Sequence, residues 1–417
     1  MVIFPPGMGI ILNFTVLLGI FYSYASSFLL FASTVKGASG AGAFVACRAD
    51  SPPNKKAVAR MPPSIVLRFG ACFMLSCKIK IFLSLLITLL LSTTLFAQEQ
   101  NLHRYEYTQI RMGVQARIVL YALNSDVAEE AARAAFHRFE QLEASMSDYR
   151  PTSELMRLCQ KAGGAPVAIS KELFLVLERS QEMAEKSGGA FDVTISPLIR
   201  LWRIARKTGV LPTSQERQSA KQRVGYKNLI LNRENQMAQL LLPNMQLDLG
   251  GIAKGYACDE AQIVLQAHGI KSALVEAGGD IAVSDPPPHT KGWKIEVINP
   301  DPNTRFRILA VSNCGVSSSG DTEQYLEVDG KRYSHIVDPK TGYGLTSHIA
   351  VTVIAPKAIL SDALSTTLSV LGEKQGKALA KTFKGVRVSI RRIQITPPSI
   401  EPKEDTLLRD SEGNLRL

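Results

Sequence analysis

The order of strand-like and helix-like segments constrains the fold of this chain most strongly. Between residues 100 and 390, strand-like segments follow one another directly in several places, as in the pair that Gly278 and Gly279 separate within "SALVEAGGDIAVS". Further strand-like segments follow between residues 293 and 355. A doubly wound parallel sheet would instead alternate strands with helices at regular intervals. The order therefore predicts an α+β fold, a single domain in which helices flank a mostly antiparallel β-sheet.

Local patterns predict where individual helices and strands lie. Ser125 precedes an alanine-rich stretch with apolar residues along one face, which predicts a helix capped by that serine. Further helices are predicted over residues 171–187, 253–267, 358–372 and about 374–383. The segment "AFDVTISPLIRLW", which begins at Ala190, and the short segment Leu247–Leu249 are both expected to have strand character.

Residues 74–97 have the layout of a secretory signal peptide. Lys78 and Lys80 form a short basic region in front of an apolar run. That run extends from Ile81 to Leu91, and Ala97 then offers a small residue at the expected cleavage site. The apolar run is shorter than the roughly 20 residues that a membrane-spanning helix needs. We therefore expect the chain to be exported.

The preceding residues 1–73 allow two interpretations. They contain an apolar segment long enough to span a bilayer, so they either include a membrane helix or form an extension upstream of a natural start at Met74. We favour the start at Met74, because a signal-like segment is seldom found so far inside a chain. The expected organisation is thus a signal peptide over 74–97, one folded domain over 98–390 and a polar tail over 391–417.

Charge and cysteine content argue against several functions. The formal net charge is +11, but the chain has no dense run of Lys and Arg interleaved with aromatic residues, so we expect no nucleic-acid partner. After residue 97 the cysteines are Cys159, Cys258 and Cys314, and their spacings match no zinc site. An exported chain without a disulfide framework needs a large apolar core, which about 300 residues can supply.

Two segments carry residues suited to binding an anion or a metal, although each also has a purely structural interpretation. In "LDLGGIAKGYACDEAQ", paired glycines let a ligand approach the backbone, and Lys254 in the first helical turn suits an anion. Tight packing of strand against helix is the alternative there. In "SDALSTTLSVLG", Asp362 and Thr366 share one helix face, and their hard oxygen ligands suit Mg²⁺. The alternative is a helix cap and a threonine bonded to its own helix.

Two further segments are polar loops by pattern. "GVSSSGD" is rich in hydroxyl groups and glycine, and alone it indicates an ordinary turn. In "YSHIVDPKTG", His335 lies at a strand end in front of a turn, and a single histidine is more often structural than catalytic. No one of these four segments is specific by itself.

Taken together and in this order, these segments resemble the FAD:protein FMN transferase family, known as ApbE. The resemblance covers roughly residues 105–385. The matching segments are "RMGVQARIVLY", "SDYRPTSEL", "GGAFDVTISPLIRLW", "LDLGGIAKGYACDEA", "VEAGGDIAVS", "SSSGDTEQY", "SHIVDPKTG" and "DALSTTLSVLG". Eight matches in the same order are far more specific than any one motif.

The resemblance implies the activity. Such enzymes bind FAD with Mg²⁺, split its pyrophosphate and transfer FMN to a Thr or Ser hydroxyl of a target protein through a phosphoester bond, and AMP leaves. Targets in the family are typically membrane-bound redox subunits that face the outside of the inner membrane. A periplasmic location would agree with the export signal.

The resemblance also implies the site residues. Asp362 and Thr366 become metal ligands, with the main-chain carbonyl of Gly251 as a further ligand, and His335 becomes the general base. Contacts to the flavin and adenine are implied at Met112, Tyr149, Ala190, Phe191, Asp192, Asp248, Lys254 and Ile336. One departure concerns Ser365, where some members carry Asp, so this chain has one negative charge fewer beside the metal ligands.

Two other functions stay open on the sequence. The chain could be a Mg²⁺-dependent FAD pyrophosphatase, with water as the acceptor in place of a protein hydroxyl. It could also be an exported FAD-binding protein without catalysis, although pure binding would not need Asp362, Thr366 and His335 together. Asp259, a further carboxylate of the glycine-rich segment, is expected to be a structural or helix-surface residue.

Overall fold

The computed structural model describes four stretches of the chain, residues 102–298, 306–319, 325–347 and 349–392. The expected extension over 1–73, the expected signal peptide and residues 393–417 of the expected tail lie outside the described residues. Among the described residues, no helix combines the length and the apolar character needed to cross a membrane.

The strands are defined by their bounds as follows. They are β1 (His103–Arg111), β2 (Val114–Ala122), β3 (Val167–Ala168), β4 (Leu229–Asn232), β5 (Met237–Leu240), β6 (Ala273–Ala277), β7 (Asp280–Val283), β8 (Trp293–Ile298), β9 (Phe306–Val311), β10 (Cys314–Ser319), β11 (Tyr325–Val328), β12 (Lys331–Ser334), β13 (Ile349–Ala355) and β14 (Arg387–Arg392). The helices are α1 (Ser125–Met146), α2 (Glu154–Gln160), α3 (Lys171–Lys186), α4 (Ser196–Thr208), α5 (Ser214–Lys221), α6 (Ala253–Ala267) and α7 (Ala358–Ala380).

An antiparallel sheet forms the centre of the described part of the chain. Seven strands follow in the order β1-β2-β6-β7-β10-β13-β14, and each neighbouring pair runs antiparallel. Among the described residues, three smaller sheets lie outside it, namely β3-β5-β4, β8-β9 and β11-β12. The predicted α+β fold with a mostly antiparallel sheet is confirmed.

Both faces of the central sheet are covered, which explains why β2 is apolar at successive positions. Ile118 and Leu120 face the helical layer, whereas Val119 between them joins a cluster on the opposite face. On the helical side, α1 packs on β1 and β2, α6 packs on β6 and β7, and α7 packs on β10 and β13. On the other side, the β8-β9 hairpin contributes Trp293 and Ile295.

A separate apolar cluster joins α4 and α5 to the β11-β12 hairpin. Leu198 and Trp202 of α4 pack there with Tyr333 of β12, and Trp202 Nε1 donates a hydrogen bond to the Gly342 carbonyl at 2.9 Å. Burying an apolar side chain such as that of Leu198 contributes roughly 1.5–3 kcal/mol of hydrophobic stabilisation. This cluster fixes the strand end that carries His335 relative to α4.

Two predictions of strand character were wrong. The segment from Ala190 to Trp202 forms a short 3₁₀ turn, Val193–Ile195, that leads directly into α4. Asp192 caps that turn by accepting from Thr194 N, and Pro197 suits the first turn of a helix, so these local signals prevail over β-propensity. Leu247–Leu249 joins no sheet, since Asp248 N donates instead to the Val193 carbonyl at 2.8 Å.

Helix boundaries differ from the predictions in detail. The cap of α1 is Asn124, not Ser125, because the Asn124 side chain accepts a hydrogen bond from Val127 N at 3.0 Å. The helices predicted over 358–372 and 374–383 meet without a loop in α7, where Gly372 with φ of 71° interrupts the helical backbone. The predicted helix over 253–267 coincides with α6.

Candidate active site

A cavity of about 1250 Å³ opens where loops from several elements meet. Its wall includes the turn between β1 and β2, the loop after α1, the first turn of α6, the turn between β6 and β7, the end of β12 and the side of α7. The sequence-predicted residues that line it are Met112, Tyr149, Lys254, His335, Ile336, Asp362 and Thr366. The cavity thus brings together residues more than 200 positions apart in the chain.

Helices α6 and α7 cap each other's N-termini, and this arrangement fixes Asp362. Neither helix has a side-chain bond from its own N-cap residue. Asp362 of α7 accepts from Gly255 N of α6 at 2.9 Å, while Asp259 of α6 accepts from Ala358 N and Ile359 N of α7 at 3.0 and 2.9 Å. Each carboxylate therefore satisfies donors that a helix end leaves free. The expectation that Asp259 is structural agrees with these bonds.

Gly255 permits this close contact between the two helices. A Cβ atom at Gly255 would lie 2.2 Å from the Ala358 carbonyl oxygen and 2.7 Å from Asp362 Cβ. Such distances are far inside van der Waals contact, so a larger residue would push the helices apart. The glycine-rich segment is therefore explained at this position by helix packing that holds Asp362 in place.

Asp362 is an unusually basic carboxylate. Burial raises its pKa to about 7, with the neighbouring Asp280 carboxylate acting in the same direction and Lys254 and Gly255 N acting against them. The Lys254 ammonium lies 3.8 Å from Asp362 Oδ2. Burial disfavours the ionised form of such a carboxylate, and a cation beside it stabilises that form.

Lys254 is shared between two carboxylates and one carbonyl. Its Nζ atom donates to Asp280 Oδ2 at 2.6 Å and to the Gly250 carbonyl at 3.1 Å. Burial lowers the pKa of Lys254, but Asp280 and Asp362 outweigh that effect and raise it above its usual range. Lys254 is therefore a fixed positive charge beside Asp362.

Thr366 and Gly251 face each other across the loop before α6. A Cβ atom at Gly251 would lie 3.0 Å from Thr366 Oγ1 and 3.4 Å from the ring of Phe191, so the space above this loop accommodates only a glycine easily. Other hydroxyls of α7, such as those of Ser365 and Thr367, bond to carbonyls one turn earlier in the helix. In the described ranges the Thr366 hydroxyl makes no such bond and faces the cavity.

These residues fit a bound Mg²⁺ ion. Among the described residues, no three His, Cys, Asp or Glu side chains gather closely enough to hold a metal ion. The available donors are instead one carboxylate, the Thr366 hydroxyl and the backbone beside it, and these are hard oxygen ligands of the kind that Mg²⁺ prefers. Ser365 does not reach this group, since its Oγ donates to the Asp362 carbonyl and shares a hydrogen bond with Ser319 Oγ.

Arg203 organises the other end of the cavity. One guanidinium nitrogen donates to Asp148 Oδ2, and the other donates to Asp248 Oδ2 at 2.7 Å. The guanidinium carbon also lies 4.3 Å from the centre of the Tyr149 ring. Burial lowers the pKa of Arg203, and the two carboxylates more than reverse this effect. Asp248 therefore acts as a partner of Arg203 in this structure.

The remaining predicted residues are more varied in their surroundings. Ala190 and Phe191 are buried, and the Asp192 carboxylate accepts bonds from Thr194 and from Tyr226 N, so Asp192 serves the local fold. Met112 occupies the β1-β2 turn with φ of 52° and donates from its backbone to Glu143 Oε2 at 3.3 Å. Their roles in ligand binding stay predictions.

The amino-acid sequence and the fold are similar to those of known proteins. A family model described as the ApbE family matches residues 112–390, which is the described domain almost in full. The chain belongs to the ApbE family. A FAD:protein FMN transferase from Treponema pallidum is 32% identical over 303 residues, which cover 69% of this chain and 84% of that protein. One from Vibrio cholerae is 33% identical over 247 residues, which cover 58% of this chain and 73% of that protein.

Solved structures of ApbE proteins are similar to the described domain as well. The flavin transferase ApbE from Vibrio cholerae aligns with a TM-score of 0.63 and 29% identity, over 69% of this chain and 93% of that one. The flavinyl transferase ApbE from Pseudomonas stutzeri, in its apo form, aligns with a TM-score of 0.62 and 29% identity, over 69% and 90%. The recognition of the family from its eight ordered segments is confirmed.

The charged residues of the cavity that sequence reasoning missed include Asp148, Arg203 and Asp280. Asp148 and Asp280 lie inside segments that carried the family resemblance, so their position beside known motifs was a usable signal. Arg203 follows a segment that was expected to be a strand. A helix period through "SPLIRLWRIARKT" would have placed Arg203 and Arg206 on one face, away from the buried residues Leu198, Trp202 and Ala205.

Proposed function

We propose that this protein is a FAD:protein FMN transferase, which moves the FMN part of FAD to a Thr or Ser hydroxyl of an acceptor protein and releases AMP. The observation that carries the proposal is the meeting of Asp362, Thr366 and His335 at one cavity in a chain of the ApbE family. The relatives named above carry the name of this activity. The cavity also exceeds the roughly 300–1,000 Å³ of common small-molecule sites, which suits a dinucleotide.

In the proposed reaction the acceptor hydroxyl attacks the FMN-side phosphorus of FAD. A bond forms between the hydroxyl oxygen and that phosphorus, the bond from the phosphorus to the bridging oxygen breaks, and AMP leaves with the bridging oxygen. His335 accepts the hydroxyl proton, because it lies at the cavity wall and histidine is the side chain that most often serves as a general base. Phosphoryl transfer otherwise depends mainly on positioning and charge neutralisation.

Mg²⁺ is the cofactor we propose, held by the Asp362 carboxylate, the Thr366 hydroxyl and the main-chain carbonyl of Gly251. When bound, it neutralises negative charge on the pyrophosphate oxygens. Lys254 adds a second positive charge, which Asp280 holds at 2.6 Å and therefore keeps beside Asp362. The hydrogen bond from Gly255 N to Asp362 and the close packing of α6 on α7 at Gly255 keep Asp362 and Thr366 on the cavity side of α7.

The acceptor we propose is a membrane-bound redox subunit on the periplasmic side of the inner membrane. Two observations support this part of the proposal. Residues 74–97 have the layout of an export signal. The family resemblance implies targets that face the outside of that membrane.

A labelling assay tests the proposed function. Purified protein is incubated with FAD, MgCl₂ and redox subunits from the same organism, and a covalently bound flavin is detected by fluorescence on a denaturing gel. We expect a fluorescent acceptor band that disappears when EDTA replaces MgCl₂ and when the acceptor threonine or serine is changed to valine or alanine. FMN and AMP without a labelled acceptor would instead indicate the pyrophosphatase. Bound FAD that stays intact would indicate a binding protein.

A further inference from the structure

We propose that Arg203 is a positioning residue, which ties two loops of the cavity together so that they form one preformed site for FAD. The inference deepens the proposed function and rests on it. Arg203 lies on α4, its side chain is 23% exposed, and it lines the cavity. One side chain at this position contacts residues from two loops that are about 100 positions apart in sequence.

The two carboxylate contacts use different nitrogen atoms of the guanidinium group. Nη1 donates to Asp148 in the loop after α1, and Nη2 donates to Asp248 in the loop before α6. Both aspartate side chains are only 11% exposed. A planar fork can serve two acceptors at fixed angles, whereas a lysine ammonium is a single point of charge. Without Arg203, two buried like charges would face each other with no cation between them.

The loop before α6 depends on Asp248. Asp248 Oδ1 accepts from Gly250 N at 2.8 Å, and Asp248 N donates to the Val193 carbonyl at 2.8 Å. The Asp248 carboxylate therefore holds the turn at Gly250 in place. This turn leads directly to Lys254. A shift of Asp248 would be transmitted to the backbone opposite Thr366.

The loop after α1 depends on the stacking of Arg203 against Tyr149. The guanidinium carbon lies 4.3 Å from the ring centre, and Tyr149 as a whole residue is 73% exposed. An aromatic ring with so little covering would otherwise sample several orientations, and a cation over its face limits them. The exposed ring at the cavity wall offers a flat surface on which the flavin or adenine ring of FAD can stack.

Hydrogen exchange and FAD titration of three variants test the inference. Arg203→Ala is compared with Arg203→Lys and with Arg200→Gln, an exposed residue of the same helix that makes no ion pair with the described residues. We expect Arg203→Ala to speed amide exchange in residues 147–150 and 248–251 of the free protein and to raise the FAD dissociation constant by about 10- to 100-fold. Arg203→Lys should recover only part of this affinity, and Arg200→Gln should change neither reading.

Kinetics separate positioning from a merely structural role. The KM for FAD should rise with Arg203→Ala far more than kcat falls, because saturating FAD reorders the loops. If Arg203→Ala does not fold, amide exchange, FAD affinity and KM are measured on Arg203→Lys instead. Lysine keeps the positive charge but lacks the forked guanidinium group. Unchanged exchange in both loops would overturn the inference.

A double replacement separates indirect from direct action. Adding Arg203→Ala to a protein that already carries Asp148→Asn and Asp248→Asn should weaken FAD binding much less than Arg203→Ala alone weakens it in the wild-type protein. If the fold-changes multiply instead, Arg203 acts independently of its two loop contacts and the inference fails. If the proposed function is wrong but the inference is right, the wild-type protein labels no acceptor, while Arg203→Ala still loosens both loops and weakens FAD binding.

Discussion

Replacing Asp259 by alanine is expected to lower the free energy of unfolding by about 2 kcal/mol and to leave FMN transfer nearly intact. Asp259 accepts hydrogen bonds from Ala358 N and Ile359 N at the start of α7. Losing such a cap typically costs about 0.5–2 kcal/mol, and the lost negative charge at a helix N-terminus adds about 0.3–1 kcal/mol. Burial raises the pKa of Asp259, so the benefit of its charge is partly offset and the middle of this range is expected.

Thermal unfolding of the purified variant measures this loss. For a domain of about 290 residues, 2 kcal/mol corresponds to a fall in Tm of about 3 °C. Asp362→Ala is the matched variant, because Asp362 is the reciprocal cap on α6 but also lines the cavity. Asp362→Ala should therefore lose transfer, whereas Asp259→Ala should keep it at temperatures well below both transitions. A Tm within about 1 °C of the wild-type value for Asp259→Ala would refute the capping argument. Lost transfer at a normal Tm would make Asp259 a positioning residue for the site rather than a cap that only stabilises the fold.

Two further predictions concern the same cavity. His335→Ala should slow single-turnover FMN transfer by about 10²–10⁴-fold while leaving the FAD dissociation constant nearly unchanged, and a wild-type rate would remove His335 as the general base. Gly255→Ala would bring a methyl group within 2.2 Å of the Ala358 carbonyl oxygen, so it should destabilise the protein by about 1–3 kcal/mol and weaken Mg²⁺ binding measured by calorimetry. Gln266→Ala, at an exposed position of the same helix, serves as its control, and equal Tm values for the two variants would contradict the packing argument.

Much of the sheet could be predicted from the sequence because its signals are local. Strand pairs such as β6-β7 are marked by turn glycines, and Gly278 and Gly279 both adopt positive φ values there. The helix over 253–267 follows from its apolar face. The segment from Ala190 to Trp202 was predicted wrongly because two kinds of local signal conflict there. Its β-branched residues favour a strand, but a cap at Asp192 and a proline at the helix start decide the outcome.

The site was predicted less completely, because several of its contacts join distant parts of the chain. The resemblance indicated Asp362, Thr366 and Lys254, and these line one cavity. It did not indicate that Asp280 holds Lys254, or that Arg203 bridges Asp148 and Asp248. Each of these ion pairs forms only when loops from separate elements fold together, and no periodicity in the sequence encodes such a meeting.

The most direct test of the proposed function is the ratio of AMP released to FMN bound covalently to the acceptor. The two products are counted in one reaction, AMP by chromatography and bound FMN by intact-mass spectrometry of the acceptor. We expect equal amounts of the two with the wild-type protein and neither with Asp362→Ala. AMP formed together with an equal amount of free FMN, and no mass added to the acceptor, would contradict the proposed function.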